Sequence, residues 1–140
     1  MNRDVRLRGL SSEHHHALRL ARSLLQAATH GALEARDVRR TRDSYDRELL
    51  PHFRVEEEVL LPALSLVGEA ALVIRTWEEH QRLAAYLERA EAGHPSALEH
   101  FGALLDAHVR FEERELFPTC EAKLPSAVLD AVFRRSPRGA

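Results

Sequence analysis

Apolar residues recur every three or four positions through most of this chain, and no stretch alternates with period two. The pattern therefore predicts helices and no strands. Leu18, Ala21 and Leu25 follow Ser11 and Ser12, residue types that cap helix N-termini, and Gly31 ends the run. This predicts a first helix over about 12–30, with Glu13 in the first turn where the helix dipole favours a carboxylate. A second helix is expected from about Glu34 to Leu64. Pro51 lies inside it, but Tyr45, Leu49, His52, Glu56 and Leu60 keep one phase across the proline. A kinked, continuous helix fits better than a break. Gly68 marks the next turn, and a third helix over about 69–92 carries Trp77, His80, Leu83, Ala84 and Leu87 on one stripe. Gly93-His94-Pro95-Ser96 reads as a loop before a fourth helix over about 96–122. Pro125 opens a short C-terminal helix over about 126–134, and Arg134 to Ala140 reads as a loose tail. Long helices with short connections imply an all-α, up-down-up-down antiparallel four-helix bundle with a short C-terminal helix.

Composition narrows this picture. A chain of 140 residues suits one domain, taken as 1–140 with its core over about 10–124. Net charge is -2, so no overall basic field calls for nucleic acid or an anionic membrane. No stretch approaches the roughly 20 apolar residues of a membrane span. The N-terminus, with Arg3, Asp4, Arg6 and Arg8, has no apolar core of a secretory signal. Cys120 is the one cysteine, which excludes an internal disulfide and points to a reducing cytoplasm. The 9 histidines are roughly three times ordinary usage, and imidazole is the commonest side-chain metal ligand.

The positions of those histidines carry the chemistry. The segment from Leu50 to Pro62 matches that from Asp106 to Pro118, with His52 over His108, Arg54 over Arg110, Glu56-Glu57 over Glu112-Glu113, Leu60 over Leu116 and Pro62 over Pro118. Tyr45 falls over Phe101 and Leu49 over Leu105 at the same offset, while Glu13-His14 and Glu79-His80 form a weaker match. The chain thus reads as two helical hairpins in tandem. In His-x-x-x-Glu the two side chains share one helix face, here the apolar one. A buried carboxylate costs several kcal/mol unless it is paired, and no Lys or Arg lies on those stripes. His14, His52, His80 and His108 with Glu56 and Glu112 therefore form a candidate site for a pair of cations. His14 or His15 could supply the first-helix imidazole; the apolar stripe favours His14. His16, His30, His94 and His100 read as solvated, Glu57 and Glu113 as outer or surface carboxylates, and Cys120 as a small buried hydrophobe.

These segments resemble the hemerythrin HHE cation-binding family over nearly the whole chain. The resemblance implies a four-helix bundle holding two non-haem iron ions bridged by two carboxylates. His14, His52, His80 and His108 would be the terminal ligands, and Glu56 and Glu112 the bridges. Oxygen-carrying members have a further histidine one turn from the third-helix ligand; here those positions are Thr76 and Ala84. Their fourth-helix bridge is an aspartate placed differently from Glu112. The leading functional expectation is thus an iron pair that meets O2, peroxide or NO, with turnover left open. The alternatives are an iron-sensing or iron-sequestering bundle without turnover and a metal-free helical interaction module. A zinc hydrolase fits less well, because H-E-x-x-H is absent and paired carboxylates suit iron or manganese.

Overall fold

The structure is a computed structural model that describes residues 2–137. It is helical throughout, with no strand among the described residues. A 3-10 turn, Val5–Leu7, leads into α1, Arg8–Thr29. Then come α2 (35–66), α3 (Ala70–Glu91), α4 (97–123) and α5 (Ser126–Arg135). Among the described residues no helix is long and apolar enough to cross a membrane.

The helix boundaries follow local chemistry, with corrections at the ends. The first helix starts ahead of the two serines. Asp4 caps the opening turn by accepting from the Arg6 amide at 2.8 Å, and α1 is already under way at Arg8. Ser11 and Ser12 thus sit inside the helix, where the Ser12 hydroxyl donates back to Gly9 O. Glu34 and Asp37 form a reciprocal capping box at the start of α2. Gly31, Gly68 and Gly93 all have positive φ and close the three connections between long helices. Arg134 and Arg135 belong to α5, and its last turn is tied by Ser136 N–H to Val132 O at 2.9 Å. The remainder of the expected tail, 138–140, lies outside the described residues, as does Met1. On α3 the buried stripe runs through Thr76, His80, Leu83 and Leu87, while Trp77 is 48% exposed. The sequence pattern puts Trp77 on the buried stripe; Thr76 takes that place, because the rotation of α3 that buries His80, Leu83 and Leu87 leaves residue 77, about 100° further round the helix, towards solvent.

Helix α2 runs through Pro51 without breaking. Its interior widens into π-helical turns at Tyr45–Leu49 and Glu56–Leu60, and α4 does the same at Glu112–Leu116. Each wide turn is closed by the amide of the residue that precedes proline: Leu50 N–H bonds to Tyr45 O, Leu61 N–H to Glu56 O and Phe117 N–H to Glu112 O. A proline has no N–H to give and its ring crowds the carbonyl four residues back; a π turn relieves both demands. The tandem repeat contains its own control. Ala107 stands where the first hairpin has Pro51, and 101–105 is ordinary α-helix.

The core has two apolar layers. One gathers Ala17, Ala21, Leu24, Leu49, Phe53, Leu83, Leu87, Phe101 and Leu105. The other gathers Leu7, Leu10, Leu60, Leu64, Phe111, Leu116, Phe117, Cys120, Leu129 and Val132, so the 3-10 turn and α5 close that end. In sequence, each long helix passes from one layer to the other through the histidines and glutamates of the repeat. Gly102 permits close approach of α4 to α1, since a Cβ there would lie 3.2 Å from Ala21 O and 3.3 Å from Leu24 Cβ.

Candidate metal centre

Between the two apolar layers the helices bring all six candidate residues together. His14, His52, His80 and His108 are 5%, 5%, 3% and 1% exposed, and Glu56 and Glu112 are fully buried. His15 and His16 are exposed, as are His30, His94 and His100. The one-residue offset matters because residue 14 continues the face of Leu10, Ala17 and Ala21, whereas residue 15 is turned about 100° away.

The imidazoles converge through Nε2. His14 Nε2 lies 2.8 Å from Glu112 Oε1, and His52 Nε2 lies 3.0 Å from Glu56 Oε2 and 3.4 Å from Glu112 Oε1. His80 Nε2 lies 3.1 Å from Glu56 Oε1, and His108 Nε2 lies 3.1 Å from Glu112 Oε2. Several of these atoms are close without hydrogen-bond geometry. Both oxygens of Glu56, Oε2 of Glu112 and the Nε2 atoms of His80 and His108 are buried with no hydrogen-bond partner. Such atoms normally pair, so a cluster of them aimed at common points is the signature of a group that accepts lone pairs. Two overlapping sets of donors result: His14, His52, Glu56 and Glu112, and Glu56, His80, His108 and Glu112. Within each set the donor atoms lie within 4.8 Å of one another. Both carboxylates belong to both sets, as bridges between two cations would.

The opposite ring nitrogens are also engaged. His14 Nδ1 meets Glu113 Oε2 at 2.7 Å, and His52 Nδ1 meets Glu13 Oε1 at 2.9 Å. His80 Nδ1 meets Glu57 Oε2 at 2.6 Å, and His108 Nδ1 meets Glu79 Oε1 at 2.7 Å. Glu57 and Glu113 are therefore outer carboxylates in contact with the imidazoles. Glu13 and Glu79 complete the set; the sequence pattern marks both as members of a repeated Glu-His pair but gives neither a part in the site. The signal was available in the repeated Glu-His pair, since a carboxylate beside each single histidine occurs in both halves.

This clustering moves proton affinities in the metal-free protein. Burial alone would lower each imidazole, but neighbouring carboxylates prevail. His14 is raised by Glu112 and Glu113, His52 is raised well above the ordinary value by Glu56 and Glu112, and His80 is raised by Glu56 and Glu57. Burial opposes Glu112 and Glu79 on His108, yet its pKa is carried up to about 10. Burial would raise Glu112 and Glu113 in turn. His108 instead holds Glu112 well below the usual carboxylate range, and His14, Ser11 and Arg3 bring Glu113 down to about 2. Cys120 has no part in this centre. Burial pushes its thiol up, and it packs in the apolar layer closed by α5.

The family model of the hemerythrin HHE cation binding domain matches residues 6–120, most of the chain and all six convergent residues. The chain belongs to the hemerythrin HHE family. No curated protein and no solved structure shows significant similarity to it. This hemerythrin-like domain thus combines a cation-binding family with a buried His/Glu cluster that could hold metal.

Proposed function

We propose that this hemerythrin-like domain binds two iron ions, one through His14 and His52 and one through His80 and His108, with Glu56 and Glu112 bridging both. The observation that carries this reading is the set of fully buried, unpartnered carboxylate oxygens beside inward-facing Nε2 atoms. Mixed imidazole and carboxylate donors suit iron, and inward-facing Glu and His pairs are how helical bundles hold such pairs. The same proposal takes the four long helices as an up-down-up-down bundle. Glu113 meets His14 whereas Gly102 meets Ala21, so α4 runs opposite to α1.

A bound iron pair supplies adjacent redox-active Lewis acids that can take up a small ligand and share its electrons. The chain's own residues determine what reaches it. A cavity of about 20 Å³ lies beside His14, His52 and Glu112, walled by Ala17, Leu49 and Phe53. That is room for a molecule the size of water, O2 or NO. On α3 no second imidazole stands one turn from His80. Thr76 is fully buried with its hydroxyl donated to Leu72 O at 2.8 Å, and Ala84 has no donor atom. Iron held by these residues would therefore stay open to water or a small exogenous ligand, which favours reaction with O2, peroxide or NO over reversible oxygen carriage.

Two measurements test this. Protein loaded anaerobically with ferrous iron should retain about two irons per chain, as the two donor sets require. Substoichiometric iron by elemental analysis would overturn the proposal. The reduced, loaded protein mixed with aerated buffer in a stopped-flow spectrometer should oxidise within minutes, and azide or NO should bind readily. A visible spectrum that forms with oxygen and reverses when oxygen is removed would point to oxygen carriage instead.

A further inference from the structure

The four outer carboxylates form a closed cycle around the bundle. Glu13 on α1 reaches His52 on α2, Glu57 on α2 reaches His80 on α3, Glu79 on α3 reaches His108 on α4, and Glu113 on α4 returns to His14 on α1. Every contact is 2.6–2.9 Å and falls on Nδ1. We propose that Glu13, Glu57, Glu79 and Glu113 are positioning residues that hold a proton on each Nδ1, so that all four Nε2 lone pairs face the metals and each imidazole is fixed by the neighbouring helix. This rests on the metal-binding reading above.

The physical reason lies in the choice between two ring nitrogens. A neutral imidazole carries one proton, and the nitrogen that donates it cannot ligate. A carboxylate acceptor at Nδ1 decides the tautomer and stops the ring from turning over. Such outer partners typically contribute roughly 10–100-fold in metal affinity. Two members of the cycle are themselves anchored. Arg75 Nε donates to Glu79 Oε2 at 3.1 Å, and Arg3 donates to Glu113 Oε1 at 3.1 Å and to Glu121 at 2.8 Å. Arg3 thus holds Glu113, and through it His14, in place. Ser11 donates to the same carboxylate at 2.6 Å.

Zinc-loaded full-length protein provides the test, because zinc is diamagnetic and reports the ligands without turnover. Long-range proton–nitrogen correlation spectra should show four imidazoles, each protonated at Nδ1 and metal-bound at Nε2. In Glu57→Leu the Nδ1 proton of His80 should shift while the other three stay, and zinc affinity by chelator competition should fall roughly 10–100-fold. Glu113→Leu should act in the same way on His14. Glu57→Gln and Glu113→Gln keep an acceptor and should recover most of the affinity. Failure of the unmodified protein to take up zinc or iron would refute the metal-binding reading itself. Normal uptake by the unmodified protein, with equal affinity and unmoved Nδ1 signals in the leucine variants, would refute the positioning role alone. Should Glu57→Leu not fold, Glu57→Gln still decides, because the weaker acceptor must shift the His80 signal selectively.

Discussion

At the scale of single residues, the decisive contrast is between neighbours in the triplet His14-His15-His16. Only His14 is buried, and it is held on both ring nitrogens, by Glu112 and Glu113. His14→Ala should therefore lose iron, while His15→Ala and His16→Ala retain it, as read by iron content after desalting. Bleaching by His15→Ala would contradict the placement of α1. The titrating residues also set how metal-free stability depends on pH. The imidazole pKa values are raised in the folded state, that of His108 to about 10. Their contribution is thus complete below the unfolded value of 6.5 and is lost as pH rises through the folded values. Glu113, lowered to about 2, contributes fully above its unfolded value of 4.5 and loses that contribution as pH falls. The metal-free protein should melt highest between about pH 4.5 and 6.5 and progressively lower above it. A melting temperature that rises from pH 7 to pH 9 would contradict this.

At the scale of elements, three prolines and three wide turns account for the shape of α2 and α4. The π turns beginning at Glu56 and Glu112 each start on a buried carboxylate shared by both donor sets and close beside Pro62 or Pro118, so the turn that accommodates proline also carries the glutamate. Replacing Pro118 by alanine restores an N–H and removes the ring clash. The expected result is a metal-free fold at least as stable as the parent and a weaker hold on metal, measured by thermal melting and chelator competition. Unchanged affinity would show that packing, rather than proline, maintains the wide turn. The close approach of α1 and α4 is a second such feature. Gly102→Val would press against the Ala21 carbonyl, which cannot swing aside as a side chain could. A loss of about 1–3 kcal/mol is expected in denaturant unfolding.

At the scale of the whole molecule, the buried charge ties folding to metal. The sequence alone suggests that, without cations, Glu56 and Glu112 would lack counter-charges. The structure supplies them from within, since four raised imidazoles surround the two carboxylates and can carry the compensating protons. A folded metal-free protein is therefore expected, with metal replacing protons on binding. The gap between iron-loaded and metal-free melting temperatures should widen as pH rises above 6.5 and narrow in mild acid. A gap independent of pH between 5 and 8 would mean that no protons are displaced.

Much of this was legible in the sequence because it is local. Helical periodicity needs only neighbouring residues, and glycines at 31, 68 and 93 mark the connections whatever lies around them. The tandem His-x-x-x-Glu-Glu pattern shows that imidazole and carboxylate share an apolar face, and chain order alone suggests that two such faces meet. Other features depend on how each helix is rotated against the rest, and periodicity leaves that rotation uncertain by a residue. Only tertiary packing placed Thr76 rather than Trp77 on the buried stripe and carried α1 back through the two serines to a turn capped by Asp4. Only packing joined Glu13 to His52, Glu57 to His80, Glu79 to His108 and Glu113 to His14, because each partner stands on a different helix. The chain specifies which residues bear the chemistry, and the registry between helices decides which nitrogen of each imidazole faces inward.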